Sequence, residues 1–383
     1  MKKLILIFLA PLIFSCEGNS TEESESGNLL ENLTFSVDTV VVNSGDDFLV
    51  LGYSLGSMMV SEDKSRLYFF QRNPLVMVEV DLNGLKVLQK AEFEAEGPDG
   101  VGTYLGSVAL GPEEQIFISS YEVAGLFDKS GKKIKELQFV PEGIKPDLAK
   151  NHQAIFSGSE YDFGTGKLYA QPHFESAGEY VLIVLDPETQ TGKSLPIPKM
   201  KIVDDFSGIF KTKSGSSTTM YYYGQMRFTS RNPSQLILSA STMSGLYTFD
   251  IPTERLEFVD IQHQTVPNVM NVPLNKNPTS EADVIENRRI LDEHLNYQEV
   301  LWDDQRQMHF RFGLKTFHGE NPTDPKSYEL YLFAYDKDFK VLGETRMENL
   351  KEMPRSAFFK DGKLWSYVNV EDELGFAVME FKF

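Results

Sequence analysis

From residue 33 to the end of the chain, short stretches with alternating apolar side chains follow one another, separated by tight polar turns. Two patterns recur. In the first, an apolar run ends in Asp and a polar turn: VMVEVDLNGLKVL around Asp81, AGLFDKSGKKIKEL around Asp128, VLIVLDPETQTGKSL around Asp186, GLYTFDIPTERLEFV around Asp250 and LFAYDKDFKVLGE around Asp336. The second lies upstream of each copy, as in MMVSEDKSRLYFF, YDFGTGKLYAQ and AFFKDGKLWSYV: an extended run, a polar turn and an alternating strand. Period-two alternation bounded by Gly, Asn, Asp and Ser reads as strands joined in hairpins. Each unit is then four strands, with tight A–B and C–D turns. Six A–B hairpins are present but only five C–D turns, because the sixth unit ends at Phe383 after its third strand. The strand-like Leu33–Val42, LTFSVDTVVV, stands alone at the other end and supplies the missing strand. The pattern predicts an all-β domain over 33–383, a six-bladed β-propeller of four-stranded blades closed by an N-terminal strand. A large sandwich or a pair of β domains is the competing reading.

Two segments break the repeat. Thr279–Tyr297, TSEADVIENRRILDEHLNY, predicts a helix inserted between blades four and five. Ser280 and Asp283 form a start resembling a capping box, and Val284, Leu291 and Leu295 share one face. Lys211–Thr219, KTKSGSSTT, reads as a mobile polar loop leading into Tyr221-Tyr222-Tyr223.

The Asp residues of the turns are expected to accept bonds from nearby backbone N–H groups. They lack the spacing and the distal Glu of a calcium loop. Glu96-Gly97-Pro98-Asp99-Gly100-Val101-Gly102 has no Lys-Ser/Thr partner and reads as a turn, not a phosphate cradle.

The first residues set the address. Met1-Lys2-Lys3 precedes an apolar run from Leu4 to Phe14, which fits a signal peptide over 1–15 and is too short to span a bilayer. Cys16, the single cysteine, follows directly. Leu12-Ile13-Phe14-Ser15-Cys16 resembles the lipobox of bacterial lipoproteins, although Phe14 stands where a smaller residue is usual. The resemblance implies diacylglyceryl transfer to the Cys16 sulfur, cleavage before it and acylation of the new amine. More than one acyl chain gives stable anchoring. Residues 16–32 are then a lipidated cysteine and a flexible acidic tether, too poor in apolar residues to fold. The protein is expected in the cell envelope, anchored by lipid to the outer membrane, on its periplasmic or surface side.

Composition narrows the partners. Hydrophobic residues make up 41% and aromatics 12%, with 28 Phe and 16 Tyr, enough for a strand-rich core. The formal charge of −19 becomes about −21 once Lys2 and Lys3 leave with the signal. Such a chain repels nucleic acid and anionic headgroups.

Beyond the lipobox, the 96–102 segment and the ending KDGKLWSYVNVEDELGFAVMEF resemble a domain family of unknown function found in Bacteroidota lipoproteins and similar to TolB-like six-bladed propellers. The resemblance implies a fold and an address, and no catalytic residues.

Chemistry is sparse. The six histidines form no H-x-H, H-x-x-x-H or H-E-x-x-H pattern, so no zinc site and no cofactor are expected. No G-x-S-x-G elbow occurs. Asp303 and Asp304, after Trp302, are adjacent carboxylates that would point apart on a strand, and they read as the A–B turn of blade five. Two functions follow. One is a propeller-type module that binds a carbohydrate, a peptide or an envelope protein, with Arg288 and Arg289 on the inserted helix and Tyr222 as candidate ligand contacts. The alternative is a calcium-dependent, lactonase- or esterase-like hydrolase with ligands from several blades in the channel.

Overall fold

A computed structural model describes residues 27–46, 48–120, 123–137, 158–172, 179–321 and 324–383. Cys16, the signal and most of the tether lie outside these. The alternating runs pair into six four-stranded antiparallel sheets, the blades of a propeller. Blades one to five span 59–92, 105–136, 159–196, 227–259 and 296–346. Blade six joins the last three strands, within 358–382, to Thr34–Val41.

The ring closes as the strand count requires. Thr34–Val41 runs antiparallel to Glu373–Lys382, with Thr34 opposite Lys382 and Val41 opposite Gly375. Packing begins ahead of that strand. The Asn28 side chain bonds the Glu344 backbone on both sides, to its carbonyl at 2.8 Å and from its N–H at 2.9 Å. Leu30 is fully buried with Phe310, Leu332 and Phe381.

The burial pattern explains the hydropathy pattern. Blades stack face to face, so their two middle strands are covered on both sides and read as continuous apolar runs. In RLYFFQ (Arg66–Gln71), Leu67 and Phe69 meet Tyr367 and Phe376 of blade six, while Tyr68 and Phe70 meet Ile116 and Ile118 of blade two. Outer strands such as Lys86–Glu92 have one covered face and keep the alternation.

All five turn aspartates accept backbone N–H bonds. Asp81 takes those of Asn83 and Gly84, Asp128 those of Ser130 and Lys132, Asp186 those of Glu188 and Thr189, Asp250 that of Thr253, and Asp336 those of Asp338 and Lys340. Glu96–Gly102 is a turn in which Asp99 accepts from the Lys133 N–H at 3.0 Å. A Cβ on Gly100 would stand 2.9 Å from the Ala95 carbonyl, so the tight return needs glycine there. Asp303 ends the first strand of blade five and Asp304 opens its A–B turn, as expected.

Three features differ from the sequence expectation. Lys211–Thr219 is not a loop. It is most of a two-stranded hairpin, Gly208–Ser214 against Ser217–Tyr223, turning at Gly215 with φ +62°. The helix is shorter than predicted, Glu281–Asp292, although Ser280 and Asp283 form the full capping box. Leu295 falls beyond it and packs inside blade five with Tyr297 and Phe333. A 3₁₀ helix, Pro198–Phe206, had no sequence signal.

Candidate functional site

Because the strands alternate in direction, the D-to-A connections and B–C loops lie on one face of the ring, and the A–B and C–D turns on the other. The 3₁₀ helix and the hairpin occupy the connection between blades three and four, and the capped helix the next connection. All three therefore crowd one face above blades three to five. They carry their own small core, in which Val284 and Leu291 of the helix meet Phe206, Tyr223 and Met270. Asn287, 1% exposed, pins the segment ahead of the helix by accepting from the Asn275 N–H at 3.0 Å and donating to its carbonyl at 2.8 Å. The helix thus packs on the hairpin, on the 3₁₀ helix and on the blade-five strand Met308–Phe317, beside which Asp292 meets His318 at 2.7 Å.

Two of the three ligand candidates meet here. Arg288 donates from Nε to the Tyr222 carbonyl at 2.8 Å, and its guanidinium stands 5.5 Å from the Tyr222 ring centre. Tyr222 is 68% exposed. Arg289 is not part of that contact and pairs with Glu293 at 3.1 Å, one turn along the helix. Three further Arg–Tyr contacts lie on the same face: Arg355 over Tyr53 at 3.7 Å, Arg72 over Tyr104 at 4.6 Å and Arg227 over Tyr180 at 5.2 Å. No sequence spacing links these pairs, because each joins two different connections.

Beside the insertions is a cleft of about 480 Å³, a size typical of small-molecule sites. One wall is the 3₁₀ helix, held down by buried Met200 and Val203 and by the Lys199 N–H on the Tyr247 hydroxyl at 3.1 Å. The facing wall is the chain from Asp260 to Val269. Asn268 fixes it by accepting the His263 N–H at 2.6 Å and donating to the Gln262 side chain at 3.1 Å. The floor is Met243-Ser244-Gly245, with Phe258 alongside. A Cβ on Gly245 would lie 2.7 Å from the Phe258 ring, so only glycine lets that ring close over the floor.

Beneath the floor is Arg311, fully buried and with no carboxylate in ion-pair distance among the described residues. Its guanidinium donates to the carbonyls of Gln298 at 2.7 Å, Ser244 at 2.8 Å and Ala240 at 2.9 Å, and lies 4.8 Å from the Tyr297 ring centre. A blade-five side chain thereby fixes the B–C loop of blade four. Close by, His263 accepts from or donates to Tyr335 at 3.1 Å, and burial lowers its pKa to about 4 against the pull of Glu344.

The channel wall has a polar arc. Where blade three meets blade four, Arg231 pairs with Asp162 at 3.0 Å, and Gln171 reaches across to Thr229 Oγ1 at 2.8 Å and the Phe228 carbonyl at 3.1 Å. Gln171 Oε1 is buried without a partner among the described residues. Glu160, on the innermost strand, has its pKa raised to about 7 by burial, with Arg231 opposing. In blade five a bulge between Tyr297 and Val300 carries Glu299, whose pKa is also raised by burial. Among the described residues no three His, Cys, Asp or Glu side chains converge as metal ligands.

A family model described as a domain of unknown function (DUF4221) matches residues 26–346. The crystal structure of a DUF4221 member from Bacteroides vulgatus is similar over 91% of this chain and 98% of that one, with 15% identity and a TM-score of 0.61. A Bacteroides fragilis protein described as exported is similar over 93% and 97%, with 12% identity and a TM-score of 0.51. At such identities these likenesses show the propeller fold alone. No curated protein matches.

Proposed function

This chain belongs to the DUF4221 family, whose function is unknown, and from there we propose that it is an envelope lipoprotein, anchored through Cys16, that binds a ligand on its insertion-bearing face. The observation that carries the binding reading is the placement of the 3₁₀ helix, hairpin and capped helix. A blade needs only short connections, yet these three elements stand together on one face and share a core, and the 3₁₀ helix among them forms one wall of a cleft. Loops set on a rigid frame are where propellers and other scaffolds carry function. The export reading rests on the signal and lipobox pattern, and the description of the B. fragilis protein as exported agrees with it.

Ligand binding is tested by thermal unfolding of residues 26–383 in the presence of small-molecule fractions from bacterial envelope extract. A ligand at a hundredfold excess over its Kd adds about 2.7 kcal/mol of stability. A fraction that raises the melting temperature of the parent but not of Phe258→Ala supports the cleft. The reading is wrong if no fraction acts, or if both proteins respond alike. Anchoring is tested separately with Cys16→Ser, which should leave the membrane fraction and lose palmitate labelling. A variant that stays membrane-bound and labelled overturns the anchor.

A further inference from the structure

The 3₁₀ wall of the cleft carries two lysines and two aspartates, and the facing wall one aspartate, Asp260. On the 3₁₀ helix, both carboxylates are already engaged: Asp204 accepts from the Tyr180 hydroxyl, and Asp205 pairs with Lys276 at 3.2 Å. The two lysines of that wall are not. Lys199 Nζ lies 5.6 Å from the Phe258 ring centre, and neither it nor Lys201 has a carboxylate within ion-pair distance among the described residues. On the opposite wall Asp260 accepts from Gln262 Nε2 at 2.8 Å and has no cation among the described residues. In a chain with 56 acidic and 37 basic residues, two cations and a carboxylate thus border one cleft with no partner of opposite charge among the described residues. The space between the walls is apolar, lined by Ile202, Met243, Phe258 and Val269.

Resting on the reading of this cleft as the binding site, we infer that its ligand is a short peptide with both termini free. The peptide carboxylate faces Lys199 and Lys201, its ammonium faces Asp260, and an apolar side chain fills the middle. A purely anionic ligand would leave Asp260 opposed to it, and a neutral sugar would use neither charge. Like charge set against a ligand costs specificity for it, and opposite charge at both ends selects for a zwitterion of matching length. The rigid walls favour this selection. The 3₁₀ helix is tied to Tyr247, the facing wall to Asn268, and the floor to Arg311, so little ordering remains to be done on binding.

The test is titration calorimetry with the tripeptide Ala-Phe-Ala at low ionic strength, beside its N-acetylated form, its C-amidated form and the doubly blocked form. The free tripeptide should bind, and each block should weaken it about tenfold, the loss of one charge-assisted contact. Asp260→Asn should reproduce the effect of acetylation and add nothing to it. Lys199→Ala with Lys201→Ala should do the same for amidation. These side chains are exposed, and each variant's melting curve verifies its fold. Equal binding of the free and doubly blocked peptides overturns the inference, as does a variant that fails to match its own block. Absence of peptide binding, with an envelope fraction still acting through Phe258, sinks the peptide while leaving the cleft as a site. Absence of both sinks the site as well.

Discussion

Glu160→Gln should make the protein more stable above neutral pH and leave it unchanged in acid. Glu160 lies on the innermost strand of blade three, opposite Tyr169, which packs into the interface with blade four. It makes no hydrogen bond or ion pair among the described residues, and the nearest cation, Arg231, is already held by Asp162. Burial raises its pKa from 4.5 to about 7. A raised pKa means that the folded protein holds a proton between those values which the unfolded chain has released. Stability from this group is therefore complete below pH 4.5, falls as pH rises toward 7 and is gone above it. At about 1.4 kcal/mol per unit the full shift is worth about 3 kcal/mol, and partial contact with channel water reduces this to about 1–3 kcal/mol. Gln keeps the shape and carries no charge at any pH. Urea unfolding at pH 4.5 and pH 8 should show parent and variant alike at the lower value and the variant ahead at the higher. A variant that is weaker at pH 8, or equally displaced at both, would show that the Glu160 charge is stabilised by something other than Arg231.

Arg311→Met removes the guanidinium that donates to the carbonyls of Gln298, Ser244 and Ala240, and at about 1–3 kcal/mol per unsatisfied buried group should cost about 3–5 kcal/mol in urea unfolding. A loss under 1 kcal/mol would mean that the seam between blades four and five does not depend on it. Leu30→Ala should cost about 2–5 kcal/mol, because Leu30 is a fully buried member of the core between blades five and six. No loss there would place the start of the folded domain after Leu30. Burial lowers the pKa of His309 to about 4, so the folded protein binds fewer protons than the unfolded chain between that value and 6.5. Its contribution is present above pH 6.5 and lost as pH falls toward 4, and His309→Gln should flatten that part of the pH profile. An unchanged profile would refute it.

The blades were legible because their signals are local. The five Asp turns and the alternating runs each fit within about fifteen residues, and the capping box of Ser280 and Asp283 within four. The hairpin Gly208–Ser214/Ser217–Tyr223 escaped because Lys, Thr and Ser occupy both faces of its outer part, which is exposed throughout and has no alternation to read. The 3₁₀ helix escaped because one apolar residue per three, behind a proline, resembles a loop. Arg311, Glu160 and Gln171 owe their surroundings to another blade, and nothing near them in sequence records that neighbour. Arg288 and Tyr222 were singled out separately, for charge and for exposed aromatic character. Their contact across 66 residues emerged only from the fold.

The strand that closes the ring also sets a clock. Thr34 and Lys382 face each other in blade six although roughly 350 residues separate them, whereas every other blade is assembled from one continuous stretch. In a chain that emerges N-terminus first, the second partner arrives only after about 350 residues have followed the first. Bringing such distant ends together costs about 5 kcal/mol in chain entropy, by the logarithmic rule for loops. Blades one to five can each zip from neighbouring hairpins as they emerge, but blade six must wait for the last residue. Until then Thr34–Val41 stays an unmatched strand, and its eventual partner, Glu373–Lys382, offers an open edge. Until the ring shuts, that open edge is where the molecule is most exposed to pairing with the wrong chain.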